Sequence, residues 1–390
     1  MRLLHTSDWH LGRTIRGISR QPEFERVVQQ VVDIAIEERV DAVLLAGDTF
    51  DTFAPPADAE RLLYDALSQL LRAGVKVVSI AGNHDSAPHM DALAGVLRIA
   101  GAHCVGSLPQ QAADAAINVR SRDGSEAATV IALPWVPERF AVEYEKLFEG
   151  PAEAMQNYAS KLERAIGQVC GYFRDDTANV FLAHMMIDKA VIAEGGGERK
   201  LQIGQAFAVL PQSLPATAQY IALGHVHKYQ RIGATPAYYS GSLLQLDFGE
   251  ADQRKYVQIA DVQPRLPAQV RAIEVTGGRA LRNLRLTIDD LPRYAGEYAD
   301  DYLRVVVELE RPVLQLFEQV REVLPNALDV SFELTGEQDG AGPVREARRG
   351  LEPDELLARY YREKYAAEIA PELLRLFNEL HRAEVGHAPA

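Results

Sequence analysis

The chain has 390 residues, 47% hydrophobic and 25% charged, enough apolar material for a large core divided over two or three domains. No apolar run approaches the ~20 residues of a membrane span, and the two cysteines, Cys104 and Cys170, share no CxxC spacing, which points to a reduced cytoplasmic protein without disulfides or membrane contact. A net charge of −14 excludes a general nucleic-acid coat, so any contact with DNA has to be local.

Residues 1–110 alternate strand and helix. No secretory leader is expected, because the first apolar run is short and Asp8 interrupts it. That run (Leu3, Leu4) predicts a strand that ends in Asp8 and His10, two residues apart and therefore on one side of an extended chain. Pro22 opens a helix with Phe24, Val27, Val28, Val31 and Ile34 at helical spacing. Asp41–Ala46 predicts a buried strand, and 57–73 a helix stopped by Gly74. Val75–Ile80 predicts the next strand, and 88–100 a helix closed by Gly101. This rhythm predicts a mostly parallel sheet covered by helices, with ligands at the carboxyl ends of its strands.

Further along, 127–133 predicts a strand, 138–173 one or two helices around Pro151, and 180–183 and 220–223 two short strands. Tyr238–Ser242 and Tyr256–Val262 are expected to close a second sheet packed on the first. After Gly277-Gly278, strands at 284–288, 303–309 and 328–334, with a helix from Pro312 to Leu324, make a compact α+β unit. A Gly-rich link, 336–350, precedes two amphipathic helices. The first carries Leu356, Leu357, Tyr360 and Tyr361, the second Leu373, Leu374, Phe377 and Leu380.

Four apolar strands after the first also run into acid, amide or imidazole: VLLAGDTFD (43–51), VSIAGNHDS (78–86), VFLAHMM (180–186) and YIALGHVHK (220–228). Singly, each reads as a turn with a capping residue or a solvated imidazole. Together they require a run of coincidences. Carboxylate, imidazole and amide donors without thiolate suit Mn, Fe or Zn rather than a structural zinc. Asp8, His10, Asp48, Asn83, His184, His225 and His227 are too many ligands for one ion, and two ions sharing a carboxylate hold them all. Such a pair suits phosphoryl displacement. His84, between a ligand and an acid, is left to donate a proton or hydrogen bond.

At these motifs the sequence resembles the calcineurin-like metallophosphoesterases: D-x-H at Asp8 and His10, GDxxD at Gly47, Asp48 and Asp51, GNHD at 82–85, a lone His184 and GHxH at 224–227. The resemblance implies a two-sheet sandwich flanked by helices. It implies that Asp8, His10, Asp48 and His227 hold one metal, and that Asp48 as bridge, Asn83, His184 and His225 hold the other. It makes His84 the catalytic histidine and Asp51 the acid that orients it. The protein phosphatases of the superfamily carry an Arg directly after that second Asp; here Thr52 stands there, which favours a diester over a monoester.

The wider wording, LLHTSDWHLG, LLAGDTFDTFAPP, ALGHVHKYQ and the tail PDELLARYYREKY, resembles the SbcD family of bacterial nuclease subunits over nearly the whole chain. This implies a nuclease domain over 1–277, a small α+β capping domain over 278–336, and C-terminal helices over 351–385 that bind an SbcC-type ATPase with a long coiled coil. It also implies a homodimer, with the helices at 57–73 and 88–100 as candidates for the contact. The activity implied is Mn2+-dependent exonuclease and endonuclease cutting of DNA. Arg13, Arg16, Arg20, Lys189, Arg199, Lys200 and Lys228 are the basic residues near the site loops that DNA phosphates would meet. A free-standing phosphodiesterase or phosphatase is the alternative, and it leaves residues 280–390 without a task.

Overall fold

The computed structural model describes residues 1–137, 151–188, 190–192, 208–311, 313–335, 354, 357–358, 361, 369–371 and 373–377, with 151–159 as backbone. In order come β1 (Arg2–Thr6), a hairpin of β2 (Thr14–Ile15) and β3 (Ile18–Ser19), α1 (Gln21–Glu37), β4 (Ala42–Leu45), α2 (Ala57–Arg72), β5 (Lys76–Ile80), α3 (Ala87–Ala100) and β6 (Ala102–Val105). Next are β7 (Ala116–Arg120), β8 (Ala127–Leu133), α4 (Pro151–Cys170), β9 (Ala178–His184), β10 (Tyr220–Gly224), β11 (Gln230–Arg231) and β12 (Ala237–Tyr239). The last are β13 (Lys255–Gln263), β14 (Leu266–Val275), β15 (Leu281–Thr287), β16 (Tyr302–Leu309), α5 (Leu316–Val323) and β17 (Ala327–Leu334).

Two six-stranded sheets form the body, in the orders β14-β13-β1-β4-β5-β6 and β11-β12-β10-β9-β8-β7. The strands β1, β4, β5 and β6 run parallel, as do β8, β9, β10 and β12. Period-two alternation divides each strand's apolar residues between two layers. Leu3, Leu44, Val78 and Ile80 meet Val130, Ala132, Val180, Leu182 and Ala222 between the sheets. Leu4, Val43, Leu45 and Val77 face α1 and α2, while Ile131, Phe181 and Ile221 face Leu162, Ile166 and Val169 of α4. With both faces covered, the central strands are apolar throughout, which is why they read as continuous runs.

One expected placement is corrected. Residues 237–239 do lie in the second sheet, but β13 pairs antiparallel with β1 in the first, Leu4 opposite Ile259. The pairing is decided by a distant partner, and β14, β6 and β7 likewise have weak local signals. The helix expected from Pro312 begins at Leu316.

The strands β15, β16 and β17 form a small sheet whose core includes Leu303, Val305, Leu316 and Val320. Ile15, Phe248, Leu281 and Tyr302 join it to the body, beside the buried pair of Arg20 and Glu23 at 2.6 Å. The chain divides into two compact units, Met1–Glu333 and Leu334–Ala390. In the second, Leu373–Phe377 is helical, with Leu373 and Leu376 exposed. The expected helix before Pro151, the link 336–350, Lys189, Arg199, Lys200, Pro312, Leu356, Tyr360 and Leu380 lie outside the described residues. No helix among the described residues is long and apolar enough to cross a membrane.

Candidate metal centre

The carboxyl ends of β1, β4, β9 and β10 meet where the two sheets touch. A Cβ on Gly224 would lie 1.9 Å from the Ala46 carbonyl, and one on Gly47 would lie 2.4 Å from His184 Nδ1. Only glycine permits that approach. The first two loops zip together: Asp8 N–H donates to Gly47 O, His10 N–H to Asp48 O and Leu11 N–H to Thr49 O, each at 3.0 Å. Asp85 staples the third loop to the second, accepting from Thr49 N, Phe50 N and Gly82 N at 2.9–3.1 Å. Burial first, then the Asp48 charge, pushes its carboxyl up to about 6. Asp8, His10, Asp48 and His225 have φ of 52°, 48°, 49° and 101°. Left-handed backbone at non-glycine residues is strained and concentrates at functional sites.

The structure brings all seven expected ligands together. Asp8, His10 and His227 form one group whose donor atoms lie within 4.8 Å of one another, and Asp48, His184 and His225 form another. Asp48 Oδ2 lies 3.6 Å from His10 Nε2 and 3.4 Å from His184 Nε2, between the groups. Asn83 Oδ1 stands 3.1 Å from His184 Nε2 and 2.8 Å from His225 Nδ1. The Asp8 carboxylate also accepts the His225 main-chain N–H at 2.9 Å. All are buried except the half-buried Asn83.

The tautomers test whether this set fits a cation. His227 Nδ1 faces the Glu250 carboxylate at 2.9 Å, His10 Nδ1 faces Asp51 at 3.2 Å, and His184 Nδ1 donates to Ala46 O at 2.7 Å. Each second ring nitrogen then presents a lone pair. The Nε2 atoms of His10 and His227 point at each other 3.2 Å apart, and that of His184 points at oxygens of Asn83 and Asp48. Buried lone pairs repel in that arrangement unless a cation lies among them, so the donors fit divalent metal. The same field favours a proton. Burial opposes a charge on His184, but Asp48 outweighs it and lifts the ring to about 9. Burial lowers His225 to about 3, with the neighbouring His184 charge adding to it. Burial also opposes the Asp48 charge, but the charge and hydrogen bond of His184 overcome it and hold that carboxyl below the carboxylate range.

His84 also comes within 4.8 Å of His10 and Asp48. It is half-buried, its main-chain N–H donates to Asp48 Oδ1 at 2.7 Å, and its Nδ1–H donates to the main-chain oxygen of Asp51 at 2.8 Å. Residue 51 therefore meets His84 through its backbone. Its carboxylate faces His10 and accepts from Arg13 at 2.9 Å. The basic residues after the first ligand pair are committed: Arg13 to Asp51, Arg16 to Asp329 at 2.7 Å, and Arg20 buried on Glu23. Lys228 is exposed.

Three residues of the centre had no signal in the sequence. Trp135 stacks on the His225 ring at 5.2 Å and meets His184 edge-on. Glu250 and Lys255 form a buried pair behind His227. Trp135 follows β8, Glu250 closes the turn Phe248–Glu250 and Lys255 opens β13, none of them in a ligand motif, so only their distant partners reveal them.

The profile of the family described as Calcineurin-like phosphoesterase matches residues 1–229, and that described as Type 5 capsule protein repressor C-terminal domain matches 278–365. The D subunit of nuclease SbcCD from Bacillus subtilis is 35% identical over 290 residues, 72% of this chain and 71% of that one. The protein of the same name from Rhodobacter capsulatus is 29% identical over 358 residues, 83% of this chain and 85% of that one. The crystal structure of a dimetal phosphatase from Danio rerio is similar at a TM-score of 0.38 and 11% identity over 70% of this chain and 98% of that one, too distant to bear on function. With the donor pairs at its strand ends and relatives that span most of its length, the chain belongs to the calcineurin-like phosphoesterases, among the D subunits of SbcCD nucleases.

Proposed function

We propose that this chain is a metal-dependent nuclease that hydrolyses DNA phosphodiesters, as the SbcD-type component of an ATP-driven end-processing complex. The observation that carries the reading is the pair of donor groups with Asp48 between them. Asp8, His10, Asp48 and His227 would hold one divalent ion, and Asp48, Asn83, His184 and His225 the other. Oxygen and nitrogen donors without thiolate support Mn2+. Bound ions supply an acidified water and charge stabilisation on the phosphoryl oxygens.

The protein's own residues position the rest. His84, with Nδ1 committed to the Asp51 carbonyl, keeps Nε2 for the phosphate or its leaving oxygen. Trp135 covers His225 and shields that side of the site. Thr52 donates to the Ala54 carbonyl at 3.1 Å and offers no guanidinium to grip a monoester dianion, which supports a diester substrate.

The assembly follows the same reading. A homodimer is supported by α3, which buries none of its residues and leaves Val96 and Ile99 exposed. The reading divides the chain into a nuclease domain over 1–277, a capping domain over 278–336 and helices over 351–385 that dock on an SbcC-type ATPase. The committed arginines and the net charge of −14 make DNA binding by the isolated protein weak, with the partner supplying most of the basic surface. Two free thiols, Cys104 and Cys170, agree with the cytoplasm.

The test compares Mn2+-dependent hydrolysis of a DNA oligonucleotide, a cyclic nucleotide and a phosphomonoester by the full chain. Preferential DNA cleavage is expected, and duplex ends should require the ATPase and ATP. Preferential phosphomonoester hydrolysis would refute the reading.

A further inference from the structure

Glu250 is completely buried on the turn Phe248–Glu250, yet both of its oxygens are partnered. Oε1 accepts from His227 Nδ1 at 2.9 Å; Oε2 accepts from Lys255 Nζ at 2.7 Å and from Leu246 N–H at 3.2 Å. Lys255 Nζ, itself buried, also donates to the His227 main-chain oxygen at 3.1 Å and to Ser242 Oγ at 2.8 Å. One ion pair thus grips a ligand residue at its ring and at its backbone. The turn is anchored at its start as well, since Phe248 O accepts from Asn283 Nδ2 of the small sheet at 2.9 Å.

A buried ion pair is a poor device for stability alone, because desolvation offsets most of its attraction. Behind an imidazole it has a specific effect: a carboxylate fixes the tautomer and raises the basicity of the other ring nitrogen. His10 of the same group is backed in the same way by Asp51. Among the described residues no carboxylate stands behind the rings of the other group: His184 leans on the neutral Ala46 carbonyl, and His225 turns Nδ1 toward the amide oxygen of Asn83, itself an expected ligand. Lys255 and Arg13 neutralise the two backing carboxylates, so what Glu250 and Asp51 add to the group is ligand orientation and basicity, on top of the charge of Asp8.

We propose that Glu250, held by Lys255, is a positioning residue for His227 that makes the Asp8–His10–His227 group the tighter of the two cation sites, so that the ions load in order. The inference rests on the two-ion reading above. Titration of the metal-depleted full chain with Mn2+, followed by electron paramagnetic resonance and by metal analysis, measures both affinities without any substrate. In the wild-type protein one ion should bind well before the second. Glu250→Gln should weaken the first by about 10–100-fold, the usual reach of such outer partners, leave the second unchanged and erase the order. If Glu250→Gln fails to fold with Lys255 unpaired, the double variant Glu250→Gln, Lys255→Met removes both charges together and decides the matter by the same readout. Equal wild-type affinities, unchanged affinities in the folded variant, or an equal loss at both sites would overturn the proposal. Wild-type protein that binds no second ion would overturn the two-ion reading itself.

Discussion

His84 donates its Nδ1–H to the main-chain oxygen of Asp51 at 2.8 Å, while the carboxylate of Asp51 turns away to His10 and Arg13. The histidine is oriented by a carbonyl that no side-chain substitution at residue 51 removes. His84→Gln should lower the rate of DNA cleavage by ~10²–10⁴, the span of general acid–base catalysis, with both ions retained. Asp51→Asn should lose far less rate at saturating Mn2+ and instead need more metal, because His10 loses its backing. Rate against Mn2+ concentration separates the two. An Asp51→Asn rate as low as that of His84→Gln at saturation would restore a direct catalytic task to the carboxylate.

Asp48 stands between both donor groups, whereas His10 touches one. Asp48→Ala should therefore lose both ions, and His10→Ala mainly one. Metal analysis after desalting reads this directly. Full loading of the Asp48 variant is the result that rules out a shared ligand.

The two sheets meet at Gly224, where an added Cβ would sit 1.9 Å from Ala46 O and 2.8 Å from His184 Nδ1. Backbone cannot yield as a flexible side chain does. Gly224→Ala should cost about 1–3 kcal/mol by overpacking, which lowers Tm by roughly 2–4 °C for each kcal/mol in a protein this large. It should also reduce metal content, because β4 and β10 carry ligands into the contact. A wild-type Tm with full metal would show that the strand ends separate freely.

His5 is buried between the sheets, with Nδ1 2.8 Å from Tyr220 Oη and Nε2 3.2 Å from Leu223 O. Burial pushes it down to about 3, whereas the unfolded chain binds that proton at the ordinary value of about 6.5. The unfolded state therefore gains protons first as the solution is acidified. Stability from neutral His5 is complete above about 6.5 and falls away toward pH 3, by roughly a few kcal/mol over the whole range. His5→Gln should flatten that limb of a Tm-against-pH curve measured at fixed metal. An unchanged slope would assign the acid sensitivity to other groups.

The C-terminal unit is expected to serve the partner rather than the body. Deleting everything after Gly350 should leave a folded, metal-loaded protein that cuts single-stranded DNA slowly, and should abolish stable association with the SbcC-type ATPase. A pull-down measures the association and a thermal scan the fold. Retained association places the docking surface elsewhere, and loss of the thermal transition makes the helices part of the body's own packing.

Much of this protein was legible in the one-dimensional chain, because the relevant signals are local. Buried parallel strands need apolar runs, helices repeat every 3.6 residues, and ligands of an α/β sheet lie just past strand ends. That is why Asp8, His10, Asp48, Asn83, His184, His225 and His227, which the fold brings together, stand out in the sequence as candidate ligands, why α1 opens beside Pro22, and why α2 and α3 begin and end within a residue of expectation. Contacts between distant residues carry no such local trace. The strand β13 joined β1 in the first sheet because Leu4 and Ile259 pair across the chain. The Asp51 carboxylate found His10, and Arg16 found Asp329. Glu250 reached His227 and Trp135 lay on His225 because buried polar and aromatic groups must be satisfied by whatever the fold brings near. Periodicity and spacing mark the candidate donor groups; close packing in three dimensions selects what stands behind them.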